Sequence, residues 1–178
     1  MDVMLDIETL GFQQNCVVLT LGAVKFDPYS DDEPSQPLYF RINVDEQTEI
    51  GRIIDESTME WWAKQPAEVF EEAMSEEDRI SMDEATNQLN KYLVGAGKIW
   101  AQGPLFDICI MENFYKMIGK PVPWQYYNIR DSRTLFDLGD DSAKKTNKSA
   151  HNALADAFAQ AVSVQKIFSD LGVQRKQR

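Results

Sequence analysis

The first 44 residues contain three apolar segments of strand length, separated by segments rich in turn-forming residues. The apolar segments cover residues 3–7, 16–26 and 38–44. Apolar runs of this length between turn signals indicate β-strands. Because strands joined by short connections usually pair antiparallel, this region predicts a three-stranded antiparallel meander.

After residue 44 the pattern changes to alternating helices and strands. Helical spacing of apolar residues predicts helices over 57–64, 83–94, 107–118, 132–138 and 151–171. Short apolar runs predict strands over 98–102 and 126–130, and the acidic residues 68–78 are expected to be solvated. We therefore predict an α/β domain over residues 1–173, with a basic tail over 174–178. Its mixed five-stranded sheet would hold the meander plus two parallel strands, flanked by helices.

The charge balance limits which nucleic acids such a chain could hold. Its formal net charge is −11, whereas proteins that make many phosphate contacts usually carry a basic surface. A carboxylate-rich site that takes up divalent cations reverses its own local sign. The sequence therefore favours a small, local phosphate contact over tight wrapping of a long duplex.

The sequence carries no membrane or secretion signal. No apolar run approaches the roughly 20 residues that cross a bilayer, and residues 1–6 lack the basic start of a signal peptide. Cys16 and Cys109 lie in apolar segments and are predicted to be reduced core residues. We expect a cytoplasmic protein without a membrane partner.

Two acidic residues stand two positions apart at the end of the first predicted strand. Residues so spaced point to the same face, so Asp6 and Glu8 should lie side by side while Ile7 points to the opposite face. Adjacent carboxylates repel each other unless a cation lies between them, and oxygen ligands suit Mg²⁺ and Mn²⁺. The alternative is a polar strand end with two solvated acids.

Three further residues are candidates for the same chemistry. Asp107 follows a predicted strand and a Gly-Pro turn and opens a helix, so it is either a ligand or an ordinary helix N-cap. His151 and Asp156 are five residues apart, roughly 140° around a regular helix. We therefore expect His151 at the entrance of the last helix and Asp156 inside it, facing the sheet. Histidine is the usual base near neutral pH; a structural bond to a backbone group is the alternative.

Together these five residues meet the needs of metal-assisted phosphodiester hydrolysis. Two divalent ions about 3.5–4 Å apart can activate a water and stabilise the leaving oxygen. Holding two such ions takes three or four carboxylates, and a base beside the attacking water completes the set. The chain offers Asp6, Glu8, Asp107 and Asp156 as ligands and His151, its single histidine, as the base.

The segments around these residues resemble the motifs of a known family. Residues 6–11 (DIETLG) are similar to the first motif of the DnaQ-like 3′-5′ exonucleases, and residues 100–107 (WAQGPLFD) are similar to the second. Residues 151–156 (HNALAD) resemble the third motif of the histidine-bearing DEDDh branch. Residues 55–65 and 130–135 resemble a subgroup with phage exodeoxyribonucleases and a mycobacterial 3′-5′ exoribonuclease. Gln102 departs from the pattern, since relatives often carry Asn before this glycine.

The resemblance implies a ribonuclease H-like fold and a metal-dependent 3′-5′ exonuclease that releases nucleoside 5′-monophosphates from single strands. It implies two Mg²⁺ or Mn²⁺ ions on the four carboxylates, with His151 as general base. DNA is favoured over RNA, because the resemblance is to phage enzymes. An exoribonuclease that trims RNA 3′ ends is the alternative, and a non-catalytic nucleic-acid-binding protein is a remote one. Relatives in the subgroup are often dimers, so a homodimer is a further expectation.

A second group of residues is predicted to contact the substrate. Its members are Thr9, Leu10, Gly11, Trp61, Trp62, Phe106 and Lys148. The first three resemble a segment that meets the terminal nucleotide, while the aromatic residues either stack on bases or pack in the core. Lys148 either holds a phosphate or is simply solvated. Arg130 and Arg133 are candidates for contact with substrate or with a second subunit.

Overall fold

The computed structural model describes residues 1–141 and 151–176. Its strands are β1 Asp2–Thr9, β2 Val18–Phe26, β3 Ser35–Ile42, β4 Arg79–Ile80, β5 Ile99–Ala101 and β6 Ile129–Asp131. Within these ranges they form one six-stranded sheet in the order β4-β3-β2-β1-β5-β6. The helices of the same ranges are α1 Val44–Glu49, α2 Glu56–Trp62, α3 Ala67–Met74, α4 Met82–Tyr92, α5 Asp107–Met117, α6 Ser132–Phe136 and α7 Ala153–Asp170.

The sheet combines the two pairing directions that the sequence predicts. β1 pairs antiparallel with β2, and β2 pairs antiparallel with β3, which confirms the meander. β5 runs parallel to β1, and β6 runs parallel to β5. The mixed α/β class is thus confirmed, and the carboxyl ends of β1 and β5 meet at one edge of the sheet.

The sheet has one strand more than the five predicted. β4 is only two residues long and pairs parallel with β3, so it is too short to show an alternating pattern in the sequence. The acidic residues 68–78 precede β4, and they are not simply solvated, contrary to the prediction. They include most of α3, which packs Phe70 and Ala73 against an apolar cluster.

The bounds of most predicted elements shift by a few residues in the structure, and two elements begin differently. Residues 126–130, predicted as a strand, begin with a 3₁₀ turn over Tyr126–Asn128, and β6 follows it. The last helix begins at Ala153 and not at residue 151, because Asn152 caps it by accepting a hydrogen bond from the N–H of Ala155.

Strand alternation divides β1 between the two sides of the sheet. Leu5 and Ile7 belong to an apolar cluster with residues of α4 and α5, whereas Met4 belongs to a second cluster with residues of α7. By the same alternation Asp6 and Glu8 point towards α7. The predicted opposition of Ile7 to the two acids is therefore confirmed.

Residues 171–176 follow α7. Arg175 pairs there with the carboxylate of Asp27 at 2.7 Å, while the division into a domain of residues 1–173 and a tail stays a prediction. Cys16 and Cys109 carry free thiols; Cys16 is buried as predicted, whereas Cys109 is only partly buried and is not a core residue. Among the helices that the structure describes, none combines the length and apolar character that a membrane span requires.

Candidate active site

The first two carboxylates lie at the carboxyl end of β1, under the start of α7. Asp6 is paired across the β1–β2 ladder with Gly22. A Cβ atom on Gly22 would come within 2.2 Å of the backbone of Ala153 and Leu154. The glycine therefore allows the first turn of α7 to rest directly on β2, next to Asp6 and Glu8.

Asp107 is tied to the same strand from the other side. It is the first residue of α5, and its Oδ1 accepts a hydrogen bond of 3.3 Å from the N–H of Ile7. The N-cap position belongs to Phe106, which makes no side-chain capping bond. The alternative of an ordinary N-cap therefore does not describe Asp107, whose buried carboxylate is directed towards β1.

His151 and Asp156 enter the site from the start of α7. His151 has a positive φ of 69°, and its backbone N–H donates a hydrogen bond of 2.8 Å to Oδ2 of Asp156 in the first helical turn. The sharp bend before the cap brings the two side chains to one place despite their angular separation along a regular helix. The imidazole meets the ring of Trp61 edge-on, with 4.8 Å between ring centroids.

All five predicted residues line one cavity of about 280 Å³. The remaining wall residues are Ile7, Gln102, Phe106, Arg133 and Gln160. One ligand atom each of Glu8, His151 and Asp156 lies within 4.8 Å of the others, so these three could hold a metal ion. The fold thus brings together the five residues that the sequence singles out, from β1, from α5, and from α7 and the residues just before it.

Three carboxylates of this cavity, those of Asp6, Glu8 and Asp107, have pKa values above those of ordinary acids. Burial raises the pKa of Glu8 to about 8, and the charges of Asp156 and Asp107 add to the increase. Burial also raises the pKa of Asp107 to about 7, against hydrogen bonds from backbone N–H groups and the charge of Arg133. The pKa of Asp6 is raised well above its ordinary value, by burial and then by the other three acids.

Divalent cations fit this set of donors. In the described part of the chain, neither Asp6 nor Glu8 forms an ion pair with a basic side chain. Crowded oxygen ligands without a compensating positive charge suit a hard divalent cation. Asp6, Glu8, Asp107 and Asp156 would hold it, with His151 beside them.

A second cavity of about 350 Å³ shares its wall with the first. Its lining is mainly apolar and aromatic and consists of Ile7, Glu8, Thr9, Phe12, Thr58, Trp61, Trp62 and Phe106. Ile7, Glu8 and Phe106 belong to both cavities. This second cavity, the aromatic cleft, therefore opens directly beside the carboxylates.

The predicted substrate residues divide into wall residues and core residues. Trp61 is 40% exposed, whereas Trp62 is 1% exposed and its indole N–H donates to the carbonyl of Thr9 at 2.9 Å. Leu10 is 3% exposed and packs in a core cluster, so its side chain does not line either cavity. Gly11 is also buried and serves as the acceptor for the hydroxyl of Thr9. Lys148 lies outside the described residues.

The structure adds residues that the sequence prediction missed. Phe12 is 71% exposed in the wall of the aromatic cleft, and Thr58 belongs to the same lining. Gln160 lines the carboxylate cavity, one helical turn after Asp156. A spacing of four residues on the same helix could have identified Gln160, since such residues share a face.

Comparisons with known proteins agree with this geometry. The family model for the 3′-5′ exoribonuclease Rv2179c-like domain matches residues 1–168. The exodeoxyribonuclease of Enterobacteria phage T4 is 27% identical, over 76% of this chain and 70% of the relative. The solved structure of exonuclease X in complex with 5′ overhanging duplex DNA matches with a TM-score of 0.61 at 16% identity, over 98% of this chain and 95% of that chain.

The structural likeness establishes the fold, which is the ribonuclease H-like fold of these exonucleases, as predicted. The family match extends over nearly the whole chain. It includes the four carboxylates and the histidine that line the cavity. The chain therefore belongs to the Rv2179c-like 3′-5′ exoribonuclease domain family, among the DnaQ-like enzymes, and is a 3′-5′ exonuclease.

Proposed function

We propose that this exonuclease acts on single-stranded 3′ ends with two Mg²⁺ or Mn²⁺ ions held by Asp6, Glu8, Asp107 and Asp156, and with His151 as general base. The observation that carries the proposal is the convergence of four carboxylates and a histidine on one cavity. Divalent ions in such a site activate a water and stabilise the leaving oxygen of the phosphodiester. The products are nucleoside 5′-monophosphates, released one at a time.

The position of His151 supports its role as the base. One of its ring nitrogens lies within 4.8 Å of carboxylate oxygens of Glu8 and Asp156. Its backbone is held by Asp156, and its ring is packed edge-on against Trp61. A neutral imidazole nitrogen so held can accept the proton of a water that attacks a phosphate in the cavity.

The aromatic cleft supports binding of one terminal nucleotide. Phe12, Trp61 and Phe106 offer ring surface next to Glu8, and base stacking on aromatic rings is largely independent of sequence. A net charge of −11 disfavours contact with the many phosphates of an extended nucleic acid. A short, unpaired 3′ end therefore suits the cleft better than a duplex.

DNA is the proposed substrate, because the phage T4 relative is an exodeoxyribonuclease. RNA is the second candidate, because the family model is described as an exoribonuclease domain. Purified protein should be incubated with 5′-labelled DNA and RNA strands of one sequence, with Mn²⁺ or Mg²⁺. We expect stepwise shortening of both strands and a higher kcat/KM on DNA.

Three outcomes of this assay would contradict the proposal. Absence of shortening with both metals would leave a nucleic-acid-binding protein without catalysis. Shortening from the 5′ end of a 3′-labelled strand would reverse the polarity. A higher kcat/KM on RNA would make the chain an exoribonuclease that trims RNA 3′ ends.

Arg133 is placed to contact a substrate phosphate. Its exposed side chain lines the carboxylate cavity, and its guanidinium donates a hydrogen bond of 3.2 Å to the carbonyl of Gln102. Asp131 accepts hydrogen bonds from the N–H groups of both Arg133 and Gly103, which fixes α6 against the loop after β5. The remaining donors of the guanidinium can bind a phosphate oxygen.

Substitution of Arg133 by alanine should raise KM about tenfold, because one charge-assisted hydrogen bond to phosphate is lost. The salt dependence of substrate affinity should also become weaker by about one phosphate contact. The matched control is Arg130→Ala, whose guanidinium bonds the carbonyls of Tyr127 and Ile129. If Arg133 instead contacts a second subunit of a homodimer, light scattering will show a lower mass for Arg133→Ala, with an unchanged salt dependence.

A further inference from the structure

Gln160 makes a direct contact with the most crowded carboxylate of the site. It lies on α7, is 3% exposed and lines the carboxylate cavity. Its Nε2 donates a hydrogen bond of 2.8 Å to Oδ1 of Asp6. Asp6 otherwise meets the negative charges of Asp107, Glu8 and Asp156. The amide of Gln160 is therefore a neutral donor within an acidic cluster.

The other end of the same amide has no partner. In the part of the chain that the structure describes, the buried Oε1 of Gln160 accepts no hydrogen bond. A buried acceptor without a partner destabilises the fold, so a donor that binds at this atom would be favoured. A water carried into the cavity by a divalent cation is the simplest donor of this kind.

We propose that Gln160 is a positioning residue for the metal site. Its amide holds the Asp6 carboxylate in the orientation that binds the cation. The inference rests on the proposed function, since it takes Asp6 as a ligand. A single donor to Oδ1 leaves Oδ2 of Asp6 as the oxygen that would be available to a cation. Groups that orient metal ligands in this way typically contribute about 10–100-fold to metal affinity or activity.

The chain offers a matched control on the same helix. Gln165 is also buried, at 7% exposure, and its Nε2 bonds the carbonyls of Asp27 and Asp32, away from the cavity. Methionine is close to glutamine in length and shape but has no amide. Gln160→Met and Gln165→Met therefore remove the same group from the same helix, at the site and away from it.

The experiment measures Mn²⁺ affinity by calorimetry and thermal stability with and without Mn²⁺. Gln160→Met should weaken Mn²⁺ binding about 10–100-fold and raise, by a similar factor, the Mn²⁺ concentration for half-maximal cleavage. Gln165→Met should bind Mn²⁺ like the wild type. Gln160→Asn, whose amide is one methylene further from Asp6, should also bind weakly and replaces the methionine variant if that does not fold.

The outcomes separate the inference from the function on which it rests. If the wild type binds Mn²⁺ and both Gln160 variants bind it equally well, the role of Gln160 is overturned and the metal site stands. If both glutamine-to-methionine variants lose affinity alike, Gln160 acts only through packing of α7, and the role is again overturned. If the wild type binds no Mn²⁺, the metal site fails, and the role of Gln160 fails with it.

Discussion

Asp6→Asn should abolish strand cleavage while it makes the metal-free protein more stable. Asparagine keeps the shape of the side chain and still offers Oδ1 to Gln160. It removes the charge that binds a cation, and a loss of several kcal/mol of transition-state stabilisation corresponds to about 10³-fold in kcat. It also relieves repulsion with Asp107, Glu8 and Asp156. We expect the metal-free variant to gain about 1–2 kcal/mol, or roughly 4 °C in Tm.

The same cluster predicts how the stability of the metal-free protein depends on pH. Glu8 and Asp107 have pKa values of about 8 and about 7 in the folded chain, against ordinary values of 4.5 and 3.8. At pH values between the ordinary and the raised pKa, each of these two groups binds more protons in the folded state than in the unfolded state. By linkage, the free energy of unfolding contributed by these groups falls as pH rises from about 4 to 8. The fall should be less steep in Asp6→Asn, because the pKa of Asp6 is itself raised in the folded chain and asparagine does not titrate.

Chemical denaturation between pH 5 and 8, with and without Mn²⁺, measures both effects. Mn²⁺ should reverse the order of stability, since it binds the wild type and not the variant. The control is Glu33→Gln, which removes an exposed acid outside the cluster and should change neither the slope nor the cleavage rate. Cleavage by Asp6→Asn at the wild-type rate would exclude Asp6 as a ligand. A variant less stable than the metal-free wild type would exclude strong repulsion in the cluster.

The five residues of the site could be predicted because each has a local signal. Asp6 and Glu8 follow from the two-residue period of a strand, which the fold retains. Asp107 follows from its place between a short strand and a helix. On a regular helix the side chains of His151 and Asp156 would point in different directions. The sequence therefore predicts that His151 lies at the entrance of the helix and Asp156 inside it. A cap at Asn152 and a positive φ at His151 realise that expectation.

The features that escaped prediction depend on contacts between distant segments. Trp61 and Trp62 have the same local pattern, but only Trp62 packs in an apolar cluster and bonds the carbonyl of Thr9. β4 consists of two residues that pair with the end of β3 in the folded chain. Gln160 lies on the same face of α7 as Asp156, but nothing in the sequence indicates its hydrogen bond to Asp6. Such long-range partners leave no period in the sequence.

Gly22→Ala should separate the start of α7 from the carboxylates on β1. The added Cβ would lie 2.2 Å from the backbone of Ala153 and Leu154, where no side chain can rotate away. Relief of this clash requires a shift of about 1.3–1.8 Å, given normal carbon contacts of about 3.5–4.0 Å. Overpacking of this kind costs about 1–3 kcal/mol. Since His151 and Asp156 move with the helix, cleavage should fall about 100-fold even in folded protein.

The measurement compares kcat and Mn²⁺ affinity of Gly22→Ala with those of Gly95→Ala, at a temperature below both transitions. Gly95 has a φ of 76° and open space around its Cβ direction, so alanine there costs about 1–2 kcal/mol in backbone strain without displacing any helix. Both variants should therefore be destabilised to a similar extent, and only Gly22→Ala should lose activity and metal affinity. If the two variants retain equal activity, the contact between α7 and β2 at Gly22 does not set the geometry of the site. If only Gly22→Ala is impaired, the close approach of α7 to β2 is what brings His151 and Asp156 to Asp6 and Glu8.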